Sequence, residues 1–402
     1  MTPAIVARRA FLRATVMNFF FFTSLNGFVL LPLYIARLGG TEVEIGLVMA
    51  CYSALGIVCQ PLVGPWVDAV GRRPFLLLGV ALLVVSAAVA LSSPSIPGLA
   101  VTRALQGVAF SVFFVANFSH VLDLVPPAQR GWALGLYGVS GLLSSALAPL
   151  IGEWVIRRHG FPPLFAGCAL VAGGAGVLAW GTREQRRDAA QPVRGSEWVR
   201  AGVEDLLRLP MAVTVFFGLG TGVLFAFLPT FAETRGVRVL SLFYTAYAGA
   251  AMGVRVLGGQ LIDTEGRRAV IVPSMFVQAL AVALLAGLGL LGAAPPVPAL
   301  PVLVVVGLLA GGAHGFLYPG LAALVTDEAP ADRRGAVVGV FSAVFLAGNA
   351  GGAFAFGYVA HALGYGAMWG VLAGLLLGGA LVSLRLPGGG PFARPAGHRG
   401  LY

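Results

Sequence analysis

Polar and aromatic residues recur at helical intervals inside otherwise apolar stretches of this chain. Arg103, Gln106, Phe110, Phe113, Asn117 and His120 alternate spacings of three and four, which sets them on one helical face. Asn18, Phe22 and Asn26 repeat every fourth residue, and Thr214, Thr221 and Phe225, then His314 and Tyr318, extend the pattern. In a hydrophobic helix such a stripe either faces a water-filled cavity or serves as glue between helices, and for Asn18 and His120 both readings stand. The chemistry on offer is recognition and proton exchange. An arginine contacts an anionic group, rings take an apolar body, and His314, with a reference pKa of about 6.5, is the best-placed protonation site. Arg103 then tunes His314 or binds the anion. A charge inside hydrocarbon costs at least about 2.5–3.5 kcal/mol on insertion scales, so Arg103 and Arg255 need partners. Arg255 either braces a gate or touches substrate. Glu233 and Glu153 stand at the outer ends of their apolar runs, and Glu233 joins His314 as a candidate for proton coupling.

The elements that position these groups follow from composition. Of 402 residues, 58% are apolar, 10% are charged and 57 are glycine. Soluble domains are about 45–50% apolar and ~25% charged, with roughly 7% glycine. No Gly-X-Y period exists, so collagen is excluded, and the apolar content excludes disorder. What remains is an all-α polytopic membrane protein. Spans of about 20 residues fit twelve apolar runs, near 11–36, 42–67, 74–93, 97–122, 131–156, 161–181, 209–233, 240–262, 269–293, 299–325, 335–361 and 365–386. All 26 basic residues are arginine and the net charge is +10. With both termini inside, nineteen arginines fall on the cytoplasmic side, five outside, and Arg103 and Arg255 within spans. The basic balance is therefore an orientation signal toward an anionic leaflet and not a nucleic-acid footprint. Arg8-Arg9 resembles a twin-arginine export signal, but without a cleavage site it reads as the positive flank of an uncleaved first span. The reading is a multi-pass protein of the cell inner membrane, working as a monomer without cofactors. Cys51, Cys59 and Cys168 lie in apolar runs and make neither a disulfide framework nor a metal spacing.

The sequence repeats itself. Gly64-xxx-Asp68-xx-Gly71-Arg72-Arg73 returns as Gly259-xxx-Asp263-xx-Gly266-Arg267-Arg268, offset by 195. Asp123-xx-Pro126-xxx-Arg130-Gly131 returns as Asp327-xx-Pro330-xxx-Arg334-Gly335, offset by 204. Two matched loops in order predict duplicated six-helix halves, 1–181 and 209–402, related by pseudo-symmetry. The linker 182–208 joins them, and its Ser196–Leu209 stretch has the periodicity of an amphipathic helix lying on the membrane surface. Glycine permits the tight loop turn and the arginines stay in water. The repeated Asp suits a latch that grips an arginine, or a helix N-terminus, of the other half.

These loops, their repeat and the twelve spans resemble the major facilitator superfamily over the whole chain. Arg103-xx-Gln106-Gly107 is similar to that family's R-x-x-Q-G motif. Ala148-Pro149-xx-Gly152 resembles its efflux motif G-P-x-x-G-G, with Ala148 and Glu153 standing where glycines are expected. The stretch Tyr244 to Arg268 resembles twelve-span bacterial efflux permeases. The resemblance implies alternating access, with Asp68 engaging the start of span 11 near Arg334 and Asp263 engaging the start of span 5 near Arg130. It implies secondary active export of small amphipathic organic molecules by proton antiport. The alternative on the same fold is an importer or facilitator of anionic solutes that uses Arg103. Span 1 carries no carboxylate, unlike several proton-coupled members. ATP-driven transport is not expected, because a chain without lysine has no P-loop. Gly287-Leu-Gly289-Leu-Leu-Gly292 matches a dinucleotide fingerprint only formally, since no strand precedes it. No clustered nucleophile or carboxylate pair supports an enzyme, and a passive channel has no need of matched latches. Asp68→Asn is expected to express, to rest in one facing state and to lose transport. Unchanged transport by the purified variant would remove the latch role.

Overall fold

The computed structural model describes residues 3–125, 130–182, 209–291, 298–327 and 334–387, which are almost entirely helical. Span 1 is Pro3–Gly27, continued through a 3-10 turn at Phe28–Leu30 into Leu31–Arg37. Pro32 stands in the first turn of that last piece, where a missing N–H costs nothing. Spans 2 to 6 are Glu42–Val70, Arg72–Ser92, Ile96–Leu124, Arg130–His159 and Phe161–Trp180. Span 7 is Leu209–Thr234, span 8 is Ser241–Leu257 followed by Gly259–Thr264, and spans 9 and 10 are Arg267–Leu290 and Ala299–Asp327. Spans 11 and 12 share the helix Arg334–Ser383, divided at Gly364, whose φ of 76° favours glycine.

Ten helices among the described residues are long and apolar enough to cross a membrane. The expected twelve are recovered when Gly364 divides the last of these and the two pieces of span 8 are taken together. The amphipathic helix expected in the linker lies outside the described residues.

Local chemistry explains the ends of the helices. Thr41 caps span 2: its hydroxyl accepts from Glu44 N, and Glu44 Oε2 accepts from Thr41 N at 2.8 Å. The two repeated loops turn on Gly71 and Gly266, with φ of 109° and 88°, so the glycine in both is a backbone requirement. Burial is inverted relative to a soluble protein. Leu257 is 86% exposed and Leu170 78%, whereas Gln106, Asn117 and Thr214 are fully buried. That much exposed aliphatic surface suits hydrocarbon and would aggregate in water.

The packing repeats as the sequence does. Span 1 lies on spans 5 and 6, span 4 on spans 2 and 3, and span 3 on span 6. Correspondingly, span 7 lies on the helix of spans 11 and 12, span 10 on spans 8 and 9, and span 9 on span 12. Only spans 2 with 11 and 5 with 8 join the two sets extensively.

Glycine sets how closely these helices cross. A Cβ on Gly107 would stand 2.2 Å from Tyr52 O, and one on Gly311 would stand 2.1 Å from Tyr247 O. These pairs match at offsets of 204 and 195, so the same crossing is built twice. Span 7 meets span 11 in the same way, where a Cβ on Gly222 would lie 2.2 Å from Asn349 O. A backbone carbonyl cannot give way as a side chain can. Gly222→Val is therefore expected to destabilise the protein by about 1–3 kcal/mol or more, while Gly339→Ala, with nothing within 4 Å of its Cβ, keeps wild-type stability. Melting temperatures in detergent check both.

Candidate functional site

The two ends of the bundle carry different charges. At the end holding Gly71 and Gly266, Arg72 Nε donates to Asp123 Oδ2 at 3.2 Å and Arg72 Nη1 to Val67 O at 2.7 Å. The second copy repeats this: Arg267 Nε donates to Asp327 Oδ2 at 3.1 Å and Arg267 Nη1 to Ile262 O at 2.8 Å. Each arginine thus ties the first repeated loop of its half to the second, pinning span 3 to span 4 and span 9 to span 10. The neighbouring arginines also match. Arg73 stacks over the Trp180 ring at 5.1 Å, and Arg268 Nη2 donates to Leu384 O at 2.7 Å. The latch carboxylates Asp68 and Asp263, with Gly259, Arg130 and Arg334, have side chains outside the described residues. The described ion pairs at this end all lie within one half.

The opposite end is where the halves meet. Glu153, at the end of span 5, accepts from the backbone of span 8's first turn: Leu240 N at 3.0 Å and Ser241 N at 2.7 Å. Its carboxylate caps a helix of the other half, where the helix dipole and free N–H groups favour an anion. Arg157 holds the same carboxylate and also donates to Arg238 O across the divide. Between spans 2 and 11, His361 Nδ1 lies 3.3 Å from Glu42 Oε2, and a Cβ on Gly46 would meet Ala353 O at 2.3 Å. Deeper in, Ser53 Oγ donates to Asn349 Oδ1 at 2.9 Å, and a Cβ on Gly56 would meet Leu346 Cδ1 at 3.0 Å. Further toward the arginine-rich end the described contacts stop. No described atom lies within 4 Å of a Cβ at Gly64, Gly135 or Gly339. Among the described residues, then, the halves are sealed at the Glu153 end and apart toward the other.

In the interior the first half presents Arg103 and a ring triad. Arg103 is 8% exposed; its Nη1 donates to Gln106 Oε1 at 2.9 Å and its guanidinium lies 4.6 Å over the Tyr52 ring. Arg103 Nε and Gln106 Nε2 are buried without a partner. Phe110 packs on Tyr52 at 5.7 Å and on Phe22 at 6.0 Å. The second half carries the matching triad of Phe217, Tyr247 and His314. His314 lies 5.2 Å from Phe217 and 5.7 Å from Tyr247, with Tyr318 stacked on its other side at 6.1 Å. By the repeat offsets Phe22 corresponds to Phe217, Tyr52 to Tyr247 and Phe110 to His314. Phe345 closes on Phe217 at 4.9 Å and Tyr318 at 5.6 Å. Phe225 extends the cluster through Tyr247 at 5.2 Å and Tyr244 at 5.9 Å. Arg255 is a neighbouring charge to His314, Tyr247 and Tyr318, and its Nη1 lies 3.7 Å from a Cβ position on Gly138 of span 5.

The other singled-out residues divide by role. Asn18 Nδ2 donates to Ser140 Oγ at 2.8 Å, Asn26 Nδ2 to Ser144 Oγ at 2.8 Å, and Asn117 Nδ2 to Ala14 O and Tyr137 Oη at 3.2 Å. These amides bridge helices of the first half, the glue reading of the stripe. Thr221 Oγ1 bonds back to Phe217 O within its own helix at 2.9 Å. Glu233 is exposed at the end of span 7, about 24 Å of helix rise beyond Phe217, so it does not share a site with His314. Sequence reasoning missed Tyr52, Tyr247, Phe217 and Phe345. Phe217 is reachable by carrying Phe22 across the offset of 195, whereas Tyr52 and Tyr247 correspond to each other at that offset and neither carries a signal of its own.

The family model described as Major Facilitator Superfamily matches residues 13–295 and 266–399. Multidrug resistance protein 3 of Bacillus subtilis (strain 168) is 30% identical over 118 residues, which cover 29% of this chain and 23% of that protein. Staphylopine export protein of Staphylococcus aureus is 23% identical over 382 residues, 91% of this chain and 93% of its own. The chain thus spans under a quarter of the first relative and nearly all of the second. The crystal structure of the human organic anion transporter MFSD10 (TETRAN) superposes with a TM-score of 0.69 at 18% identity, covering 94% of this chain and 99% of its own. That of the nucleoside transporter NupG gives 0.75 at 14% identity, with 93% and 98% covered. At these identities the structural likeness speaks for the fold.

Glu153→Ala removes the acceptor of two backbone bonds to span 8. A bond to a charged group is worth about 1.5–3 kcal/mol, and about 1.4 kcal/mol is tenfold in population. On a background free of native cysteines, a cysteine replacing Leu240 is therefore expected to react with an impermeant maleimide about tenfold faster when Glu153→Ala is also present. An unchanged rate would mean that the cap does not hold the seal.

Proposed function

We propose that this chain, which belongs to the Major Facilitator Superfamily and is a transporter rather than an enzyme, exports small amphipathic organic molecules by alternating access with protons as the counter-ion. The observation that carries the reading is the seal at one end only. Spans 2 with 11 and 5 with 8 touch from the Glu153 end to about mid-depth, and the described contacts stop there. With the arginine-rich end in the cytoplasm, as the charge bias predicts, this is an inward-facing state ready to load from inside. Both termini then lie in the cytoplasm and the outer face belongs to Glu42, Glu153 and His361. The halves 1–181 and 209–402 rock about the two crossings, the linker 182–208 tethers them, and one copy of the chain suffices.

The export-named relatives favour outward movement of cargo, and the ring clusters of both halves give it apolar surface. Within this reading Arg103, Gln106 and Phe110 line the first half's side of the path, and Phe225 and Tyr318 the second's. His314 carries the proton. It is the one histidine in the ring clusters, and no acid lies beside it to take that role. The pairs of Arg72 with Asp123 and Arg267 with Asp327 keep each half rigid while it moves. Asn18, Asn26 and Asn117 act as struts of that rigidity more than as ligands.

The test is directional transport in proteoliposomes. A panel of dyes, sugars and organic anions is offered with and without an imposed proton gradient. Gradient-driven accumulation of an amphipathic member is expected, and His314→Ala is expected to abolish the response to the gradient while leaving the protein folded. Movement indifferent to the gradient would mark a facilitator of the anionic-solute type and end the antiport reading.

A further inference from the structure

The second-half ring cluster holds a positive charge that no described acid neutralises. We infer that Arg255 is the anchor for the anionic group of an aromatic or amphipathic organic anion, whose apolar body lies among Phe217, Tyr247, His314, Tyr318 and Phe345. The inference rests on the transporter reading above and narrows its substrate class.

Three observations carry it. First, among the described side chains Arg255 has no acid within reach on the elements that line the cluster. Measured by helix rise, Glu153 is about 22 Å from Gly138 on span 5, and Glu233 about 24 Å from Phe217 on span 7. Asp327 is about 20 Å beyond His314 on span 10, and the side chain of Asp263, past the break at Gly258, lies outside the described residues. Span 11 has no acid at all. A guanidinium in a poorly hydrated interior is costly without a counter-charge, and it takes a carboxylate or sulfonate through two parallel hydrogen bonds.

Second, the donors face an unfilled demand. Arg255 Nε and His314 Nδ1 are both buried without a hydrogen-bond partner. Arg103 Nε is likewise without a partner, but Gln106 Oε1 and the Tyr52 face attend the rest of that guanidinium. Beside Arg255, span 5 offers Gly138, where a Cβ would have Arg255 Nη1 at 3.7 Å as its one described neighbour within 4 Å.

Third, the two halves differ at the position that matters. Phe22, Tyr52 and Phe110 form an apolar triad around a phenyl ring, whereas Phe217, Tyr247 and His314 place an imidazole in the same slot. The repeat therefore keeps the apolar walls and adds a polar group on the side where Arg255 stands. Rings of this kind take a flat body by offset or edge-on contact, and the arginine and imidazole take its head.

The experiment uses the full chain in detergent and three probes of one shape: naphthoate, neutral naphthylmethanol and cationic naphthylmethylammonium. Titration calorimetry is expected to show naphthoate binding about tenfold or more tighter than the cation. Arg255→Gln is expected to erase that preference and leave naphthylmethanol within about threefold of wild type. Arg255→Lys, which keeps the charge, retains the preference and guards against a folding defect, as does a melting curve for each variant. Equal binding of anion and cation overturns the inference. So does an equal loss for all three probes in Arg255→Gln, or loss of the preference in Arg103→Gln but not in Arg255→Gln. Gradient-driven export of neutral dyes without anion preference ends this inference and leaves the exporter reading intact. Anion preference without transport of any probe does the reverse.

Discussion

A charge held in hydrocarbon is stable only when a partner or water meets it, and that constraint governs where every ionisable group of this molecule sits. The acids occupy the loops, the linker and the stretches near the ends of the spans. At the arginine-rich end they meet Arg72 and Arg267 in two equivalent ion pairs. At the other end Glu153 meets backbone N–H groups and Arg157. The interior is left with Arg103, answered by a ring face and an amide, and Arg255, answered by nothing charged. Among the described residues the interior is consequently electropositive.

The same constraint bears on how the seal is built. In the proposed rocking cycle, every side chain that joins the halves loses its partner when they part. Spans 2 and 11 instead approach through Gly46 and Gly357, which bring carbonyls and Cα atoms into contact. On separation such surfaces expose no unsatisfied group, because helical backbone is bonded within itself. Side-chain links also cross the divide, from Ser53 to Asn349, His361 to Glu42, and Glu153 to the backbone of span 8. An anion that caps a helix of the opposite half gives the seal a polar, reversible component at its rim, while glycine crossings supply its area.

How much of this the sequence disclosed depended on whether a feature is local. Helical spans, glycine turns and the duplicated loops are local, and the positive φ at Gly71 and Gly266 is the reason both copies keep glycine. The pairing of Arg72 with Asp123 is not local. Both residues stand in the repeated motifs, but joining the two loops needs the packing of span 3 on span 4. The latch reading of Asp68 and Asp263 concerns different carboxylates, whose side chains lie outside the described residues. Asn18 and Asn26 illustrate a second limit. Periodicity sets a polar residue on a face, yet whether that face meets a cavity or a serine on span 5 depends on the neighbour. Glu153 illustrates a third. As a departure from an expected glycine it had no visible purpose until the first turn of span 8 was placed against it.

The repeat offsets carry the argument one step further than either half does alone. Gly107 on Tyr52 and Gly311 on Tyr247 fix the same crossing twice, so differences between the halves are differences of chemistry on a shared frame. On that frame the first half places its arginine on span 4, over Tyr52, with Phe110 below. The second half has Gly307 at the position corresponding to Arg103, brings its arginine from span 8 and exchanges Phe110 for His314. A duplicated binding surface would be symmetric and would accept a symmetric ligand. This one sets Arg103 over a ring face and an amide on one side, and Arg255 beside an imidazole on the other. On the proposed reading, a cargo with an apolar end and an anionic end is the ligand that suits such an asymmetry.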